Sequence, residues 1–214
     1  MTNIPLTLRL RKKTEKDIAY AQDIIVAELY KFFPDAVFHG GTCIWRCYNG
    51  NRFSEDVDFY INKDVNKIKD FFQSLKEKGF KITKARIKEN SVYSELDFNS
   101  ILTRFEATFQ NKKAISKRYE TSESFFINVY ALSSEDLVIE KIQTYLKRRK
   151  IRDLYDIYFL INYVEDKKKI EDSLRDLIKN YLPPKDERNL ANIIIVGAVP
   201  NSDELLMEIR RWAK

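Results

Sequence analysis

The 214-residue chain has few of the residues that build disulfide scaffolds or zinc sites. It holds two cysteines, Cys43 and Cys47, and a single histidine, His39. A zinc site built from these three residues would lack a fourth nitrogen or sulfur ligand. The cysteines lie four positions apart in a predicted helix, which favours small helix residues of a reducing compartment over a metal site or a disulfide. His39 is expected to pack or hydrogen-bond at a turn rather than act as a base.

Long apolar runs and low-complexity segments are also missing. No stretch approaches the roughly 18 consecutive apolar residues that a membrane helix needs, and residues 1–13 show no signal-peptide pattern. We therefore expect a cytoplasmic protein without a membrane span. With 44% hydrophobic residues, 33% charged residues and only 5 glycines and 5 prolines, the composition is that of an ordinary globular protein with one large or two small domains.

Positive charge is in excess. Lys and Arg total 38 against 32 Asp and Glu, a formal net charge of +6. Basic residues cluster at positions 9–13, 112–118 and 147–152. A single cluster of this kind is usually a solvated surface, but three clusters around one site would suit a nucleic acid backbone.

Hydrophobic periodicity predicts an α+β fold, with a mixed β-sheet and flanking helices followed by a C-terminal helical bundle. In the first part we predict helices at 14–33 (N-cap Thr14), 42–48 and 64–78, and strands at 36–39, 57–61, 80–88, 92–98, 101–110 and 125–132, with a charged linker at 111–124. In the second part we predict helices at 135–148, 152–164, 168–181, 187–196 and 202–213. The change of period predicts an α/β domain at 1–133 and a helical domain at 134–214 that completes the active site.

The residues with chemical potential lie between positions 40 and 58. Gly40-Gly41 lets the backbone approach a phosphate, and a helix starting at Thr42 would direct free N–H groups and its positive dipole end at the same anion. Asp56 and Asp58 alternate along a strand, so both side chains point to one face. Two carboxylates on one face suit Mg²⁺, which binds carboxylate oxygens, water and substrate phosphates. Two such ions would stabilise the attacking and leaving oxygens at a phosphorus atom.

Two motifs in this order resemble a known family. The first comprises Gly40, Gly41, Thr42, Arg52, Ser54, Asp56 and Asp58, and the second comprises Glu140-Lys141 followed by Arg152-Asp153-Leu154-Tyr155-Asp156. Together they resemble the DNA polymerase β-like nucleotidyltransferase superfamily. More closely, they are similar to the AbiEii/MenT-type toxin nucleotidyltransferases of prokaryotic toxin–antitoxin systems.

The resemblance implies a role for each matched residue. Asp56 and Asp58 would bind catalytic Mg²⁺ ions, and a third carboxylate on a later strand would join them. Strand alternation favours Glu106 for that position, with Glu95 and Asp97 left as alternatives. The remaining implied roles are nucleotide binding by Gly40, Gly41, Thr42, Arg52, Ser54 and Lys141, and catalytic roles for Lys141, Asp153 and Asp156. A purely structural alternative remains for the second motif, because Arg149 with Asp153 and Arg152 with Asp156 have the i,i+4 spacing of surface ion pairs.

The implied function is Mg²⁺-dependent transfer of a nucleoside monophosphate from an NTP to an acceptor. The resemblance favours the 3′ end of a tRNA as acceptor and a toxin with a possible cognate antitoxin protein. Two alternatives remain: transfer to a protein or to a small molecule such as an aminoglycoside, and a non-catalytic relative that only binds RNA or NTP.

Overall fold

The computed structural model describes residues 5–214. The described chain divides into two compact units, one formed by residues 5–49 and 53–131 and the other by residues 50–52 and 132–214. The short segment 50–52 therefore belongs with the C-terminal half of the sequence. Whether the two parts behave as separate domains, as the predicted boundary after residue 133 implies, stays a prediction.

The first unit is built on a seven-stranded mixed sheet. The strand order is β3-β4-β5-β2-β1-β7-β6, with β2 parallel to β5, β1 parallel to β7, and the other neighbours antiparallel. The strands are β1 (Val37–His39), β2 (Val57–Ile61), β3 (Lys81–Ile87), β4 (Ser91–Phe98), β5 (Ile101–Phe109), β6 (Ile115–Glu120) and β7 (Phe126–Ala131). Its helices are α1 (Leu6–Arg9), α2 (Lys13–Phe32), α3 (Gly40–Cys47) and α4 (Val65–Glu77).

Helices α2 and α4 cover one face of this sheet. The ring of Tyr30 on α2 lies 5.8 Å from that of Phe59, and the ring of Phe71 on α4 lies 5.1 Å from that of Phe105. Phe59 and Phe105 are fully buried. Because side chains alternate along a strand, the residues next to Phe59 and Phe105 point to the opposite face of the sheet. The charged residues of β2, β4 and β5 lie on that opposite face.

The second unit is helical. It contains α5 (Ser134–Arg148), α6 (Ile151–Leu160), α7 (Lys167–Lys179), α8 (Leu190–Ile193) and α9 (Ser202–Trp212). The Ser133 hydroxyl accepts from the N–H of Asp136 at the start of α5, and Asn201 with Glu204 forms a capping box at the start of α9. The predicted α+β class, a mixed sheet followed by a helical region, is confirmed.

Three sequence-based predictions of secondary structure are wrong. The charged segment 111–124 is not a linker throughout, because it contains β6, an edge strand whose lysine and arginine side chains hid its alternation. Helix α2 does not use Thr14 as its N-cap; the cap is Lys12, whose N–H donates to the Glu15 carboxylate at 3.4 Å. The predicted helix 187–196 consists of a 3₁₀ turn, Glu187–Asn189, and the four-residue α8.

The end of that segment is extended because it pairs with residues 50–52. Arg52 and Ile194 form an isolated antiparallel bridge, and the N–H of Ile195 donates to the carbonyl of Asn51 at 2.9 Å. This strand-like pairing of residues 194–195 takes the place of further helical hydrogen bonds, so α8 ends at Ile193. Over residues 5–214, no helix is long and apolar enough to cross a membrane.

Candidate active site

Gly40 brings the start of a helix against an acidic side chain. Strand β1 ends at His39 and α3 begins directly at Gly40, two residues before the predicted start at Thr42. Gly40 has a φ of +75°, and a Cβ at this position would overlap the carboxylate of Asp58. Only glycine combines this backbone conformation with such close approach. The first turn of α3 therefore lies beside Asp58.

A continuous row of side chains crosses the sheet at Asp58. It lies on the face opposite α2 and α4, which we call the open face. Strand register pairs Arg86 with Tyr93, Tyr93 with Glu106, Glu106 with Asp58, and Asp58 with His39. Residues directly opposite each other on neighbouring strands point to the same face. We call these five residues, which belong to β3, β4, β5, β2 and β1, the central row. It places the carboxylates of Glu106 and Asp58 on adjacent strands.

Asp56 reaches the same face immediately before β2 begins. Its two carboxylate oxygens accept from Nε and Nη2 of Arg104 at 2.7 and 3.0 Å. Arg104 lies on β5 two residues before Glu106, so the alternation of β5 directs both side chains to the open face. Asp56 and Asp58 thus share a face, as their spacing predicts. Arg104 supplies a positive charge that the sequence analysis did not anticipate beside Asp56.

The carboxylates at this site raise the pKa of Glu106. Partial burial is the largest cause, followed by the negative charges of Asp58 and Asp56, while Arg104 acts in the opposite direction. A neighbouring like charge disfavours ionisation, so repulsion from Asp58 and Asp56 adds to the effect of burial. A divalent cation would relieve that repulsion.

The two alternatives to Glu106 already have other partners. The Glu95 carboxylate accepts from Lys84 Nζ at 3.0 Å and from the Tyr93 hydroxyl at 2.6 Å. The Asp97 carboxylate accepts from the N–H of Ser100 at 2.8 Å and so orders the turn between β4 and β5. Glu106 is the member of this group whose strand position is paired with Asp58. The geometry therefore favours Glu106 as the third carboxylate.

Two buried polar residues hold the main chain that leads to these aspartates. Gln22 Nε2 donates to the carbonyls of Ser54 and Glu55 at 2.9 and 3.0 Å, and the Thr42 hydroxyl donates to the carbonyl of Asp56. Both Gln22 and Thr42 are completely buried. The Thr42 hydroxyl thus orders the segment 54–56, which differs from its predicted contact with a triphosphate. Gln22 was missed; the available signal was a glutamine within the apolar stripe of α2.

The start of α3 receives no side-chain cap. His39 is its N-cap residue and makes no side-chain capping hydrogen bond. Instead the imidazole stacks on the Tyr60 ring, with centroids 4.0 Å apart and planes 14° apart, in line with the packing role expected for it. Gly41 is buried and Ser54 half-buried. The side chain of His39 therefore does not cap the first turn of α3, and the carboxylate of Asp58 lies beside Gly40 at this helix start.

Residues of the second sequence motif, together with Arg52 of the first, form a buried ion-pair cluster within the helical unit. Arg52 binds Asp156 in a bidentate arrangement, with N–O distances of 2.5 and 2.6 Å, and Lys141 Nζ lies 2.6 Å from the same carboxylate. Asp156 is 1% exposed. Burial works against ionisation, yet Arg52 and Lys141 lower the pKa of Asp156 overall. The Asp156 carboxylate is therefore held in its charged form by two cations.

Asp153 completes this cluster. Its carboxylate accepts from Nε and Nη2 of Arg148, both at 2.7 Å, and lies 3.7 Å from Lys141 Nζ. Asp153 is fully buried, so the structure differs from the alternative of i,i+4 surface pairs with Arg149 and Arg152. Within this cluster, both Lys141 and Arg52 are paired with carboxylates. The predicted roles of these residues in phosphate binding and catalysis stay predictions.

Protein side chains alone do not form a complete metal site. Within residues 5–214, no three Asp, Glu, His or Cys side chains are arranged closely enough to hold an ion by themselves. Cys43 and Cys47 lie on α3 as expected and form no disulfide within the described chain. A cation bound at the central row would need further ligands from a substrate.

Solved structures share this fold. JHP933 from Helicobacter pylori superposes with a TM-score of 0.60 at 19% identity, covering 91% of this chain and 90% of its own. The antibiotic-resistance factor ANT(2'')-Ia superposes with a TM-score of 0.50 at 10% identity, covering 75% of this chain and 93% of its own. At these identities the similarity establishes a nucleotidyltransferase-type fold. No curated protein sequence matches the chain.

The family follows from the sequence match. Residues 24–212 match the family described as "Nucleotidyl transferase AbiEii toxin, Type IV TA system". The match covers most of the chain and spans both motifs, so the chain belongs to the AbiEii family. It is a nucleotidyltransferase toxin of a type IV toxin–antitoxin system.

Proposed function

We propose that this toxin transfers a nucleoside monophosphate from an NTP to the 3′ end of an RNA, with tRNA as the favoured class, in a reaction that requires Mg²⁺. The observation that carries the proposal is the pairing of Asp58 with Glu106 on adjacent strands. Asp56 lies on the same face of the sheet just before β2, and Gly40 lies against the carboxylate of Asp58. This arrangement combines carboxylates with a helix start, and both are needed to hold a nucleotide triphosphate.

The triphosphate would lie against the first turn of α3. Free N–H groups and the positive end of the helix dipole at Gly40 and Gly41 favour an anion there. His39 makes no side-chain capping hydrogen bond at this helix start. Ser54, half-buried on the segment that approaches Asp56, is the hydroxyl that we assign to the same phosphates.

The carboxylates fit a site for Mg²⁺. Asp56 and Asp58 would hold the ions together with Glu106, and oxygens of the bound triphosphate would complete the coordination, as is usual for Mg²⁺. The pairing of Asp58 with Glu106 on adjacent strands and the position of Asp56 on the same face support this assignment. Bound Mg²⁺ neutralises charge on the phosphates and on the departing pyrophosphate.

Glu106 is the residue we assign to proton transfer. An acceptor hydroxyl lying over β5 would lose its proton to the Glu106 carboxylate as its oxygen forms a bond to the α-phosphorus. The bond between that phosphorus and the bridging oxygen breaks, and pyrophosphate leaves.

The acceptor class is the least constrained part of the proposal. The net charge of +6 favours a polyanionic acceptor such as RNA. A toxin of a type IV system implies a cognate antitoxin as a partner protein. Transfer to a protein or to a small molecule such as an aminoglycoside is the second candidate, and a chain that binds NTP or RNA without catalysis is the third.

Labelled nucleotides separate these candidates. We would incubate the protein with each α-labelled NTP and, in separate reactions, with total RNA, a protein extract or an aminoglycoside, in Mg²⁺ or in EDTA. Label should enter RNA only in Mg²⁺, and Asp58→Asn should lower the rate about 10³-fold with an unchanged melting temperature. Label on protein or aminoglycoside would reassign the acceptor. Binding of NTP without any transfer would favour a non-catalytic relative.

A further inference from the structure

We infer that the outer strands β3 and β4 form a binding surface for the single-stranded segment of an RNA acceptor, with Arg86, Lys88 and Tyr93 as its contact residues. This inference rests on the proposed function and extends it by stating where the acceptor lies. It follows from the geometry of the open sheet face, from the charges on that face and from the position of one aromatic ring.

The central row leads from the carboxylates directly to this surface. Arg86 is paired with Tyr93, and Tyr93 with Glu106, so the three side chains stand side by side on β3, β4 and β5. Neighbouring strands lie about 5 Å apart, which places the backbone of Arg86 about 10 Å from that of Glu106. A chain whose terminal hydroxyl reaches Glu106 would have its preceding nucleotides over Tyr93 and Arg86.

A shallow depression of about 280 Å³ marks this part of the sheet. It extends from the β3 edge to the carboxylate row, so the basic residues and the proposed proton acceptor border the same space. Its lining residues include Lys84, Arg86, Lys88, Tyr93, Glu106 and Thr108. Of the nine lining residues three are cationic and one, Glu106, is acidic, so the net positive charge favours a polyanion over a cationic ligand.

Two of those cations have no counter-charge. Arg86 and Lys88 are exposed, and neither forms an ion pair with any residue of the described chain, 5–214. Lys84 differs, since its Nζ lies 3.0 Å from the Glu95 carboxylate and 5.2 Å from the centre of the Tyr93 ring. Arg86 and Lys88 can therefore bind phosphates without breaking an existing contact.

Tyr93 provides a fixed ring between these cations and Glu106. Its hydroxyl donates to the Glu95 carboxylate at 2.6 Å, which restrains the orientation of the ring. The side chain is half-buried on the open face. Aromatic side chains interleaved with cations are the usual means of binding single-stranded nucleic acid, since each base can stack and each phosphate can pair. A protein acceptor would not require a ring in this position.

The test compares two double variants with equal loss of charge. Arg86→Gln with Lys88→Gln removes the two unpaired cations, whereas Lys69→Gln with Lys76→Gln removes two exposed cations from α4, which packs on the opposite face. Binding of a fluorescent single-stranded RNA oligonucleotide would be measured over a range of salt concentrations. We expect about tenfold weaker binding for the first variant and a salt slope smaller by about 1.4, the value for two lost phosphate contacts.

A third variant tests the ring. Tyr93→Leu should weaken binding about fivefold or more without changing the salt slope, because it removes stacking and leaves the cations. All variants should keep the wild-type KM for NTP. Equal RNA affinities and salt slopes for the two double variants would overturn the inference. Absence of nucleotide transfer by the wild type would instead refute the proposed function, and the RNA-binding comparison would still be interpretable.

Discussion

The chain contains two groups of acidic residues whose electrostatic surroundings are opposite. In the sheet unit, Glu106 stands beside Asp58 on the adjacent strand, and partial burial together with the negative charge of Asp58 raises the pKa of Glu106. In the helical unit, Asp156 is enclosed by Arg52 and Lys141, and its pKa is lowered. Both groups were assigned to catalysis from sequence motifs.

From this difference we predict that the first group acts mainly in catalysis and the second mainly in stability. A buried carboxylate that is already neutralised by two cations has little capacity to bind a further ion, whereas removing one partner leaves an uncompensated charge. Carboxylates that repel one another at an accessible surface gain stability when a cation binds. The sheet unit should therefore respond to mutation through activity, and the helical unit through stability.

The largest expected effect is on the buried cluster. Asp156→Asn leaves Arg52 and Lys141 without their shared carboxylate and should lower the free energy of unfolding by about 3–5 kcal/mol. Urea denaturation followed by circular dichroism would measure the change. Asp172→Asn on α7 is the control, because Asp172 is 96% exposed and its ion pair contributes little. A loss below 1 kcal/mol for Asp156→Asn would contradict a structural role.

The next largest expected effect is on the rate of nucleotide transfer, and it tests whether Glu106 or Glu95 is the third carboxylate. Glu106→Gln should lower the rate of nucleotide transfer about 10²-fold, because the acceptor hydroxyl loses its base. The melting temperature should hold or rise, since a like charge beside Asp58 is removed. Glu95→Gln is the matched variant on the next strand and should change the rate only a few-fold. If Glu95→Gln instead lowered the rate about 10²-fold and Glu106→Gln changed it only a few-fold, Glu95 would be the third carboxylate.

The smallest effect concerns the cation on Asp56. Arg104→Gln frees the Asp56 carboxylate from its bidentate partner and should lower the Mg²⁺ concentration for half-maximal activity a few-fold, as expected for a partly exposed ion pair. Arg104→Lys keeps the charge without the fork geometry and should give a smaller shift. An increased Mg²⁺ requirement in Arg104→Gln would show that Arg104 assists the site instead of competing with the metal.

Local patterns predicted much of the fold. Strand β2 follows the predicted range 57–61, and α4 begins at Val65, one residue after the predicted start at Asp64, whose side chain caps the first turn. Segment 111–124 was misjudged because an edge strand can carry charge on residues that an interior strand would exclude. The end of α8 was missed because pairing of Ile194 with Arg52 depends on residues far apart in the sequence.

The candidate site was only partly predictable for the same reason. Alternation along single strands placed Asp56 with Asp58, and Arg104 with Glu106, on common faces. It contained no information about which strands are neighbours, so it favoured Glu106 but left Glu95 and Asp97 open as alternatives. The ion pair of Arg104 with Asp56 also joins residues from different elements, so it could not be predicted from local patterns. The same holds for the hydrogen bond from Gln22 to the carbonyl of Ser54.

The sequence by itself determined the family, the acidic and glycine motifs, and the face on which each strand residue points, because these depend on residue type and on local period. Only the tertiary structure decided which charges meet. Strand order brings Asp58 to Glu106, and helix packing brings Arg52 and Lys141 to Asp156. Coulomb energy depends on distance and burial in space, and neither quantity is encoded in the spacing along a chain.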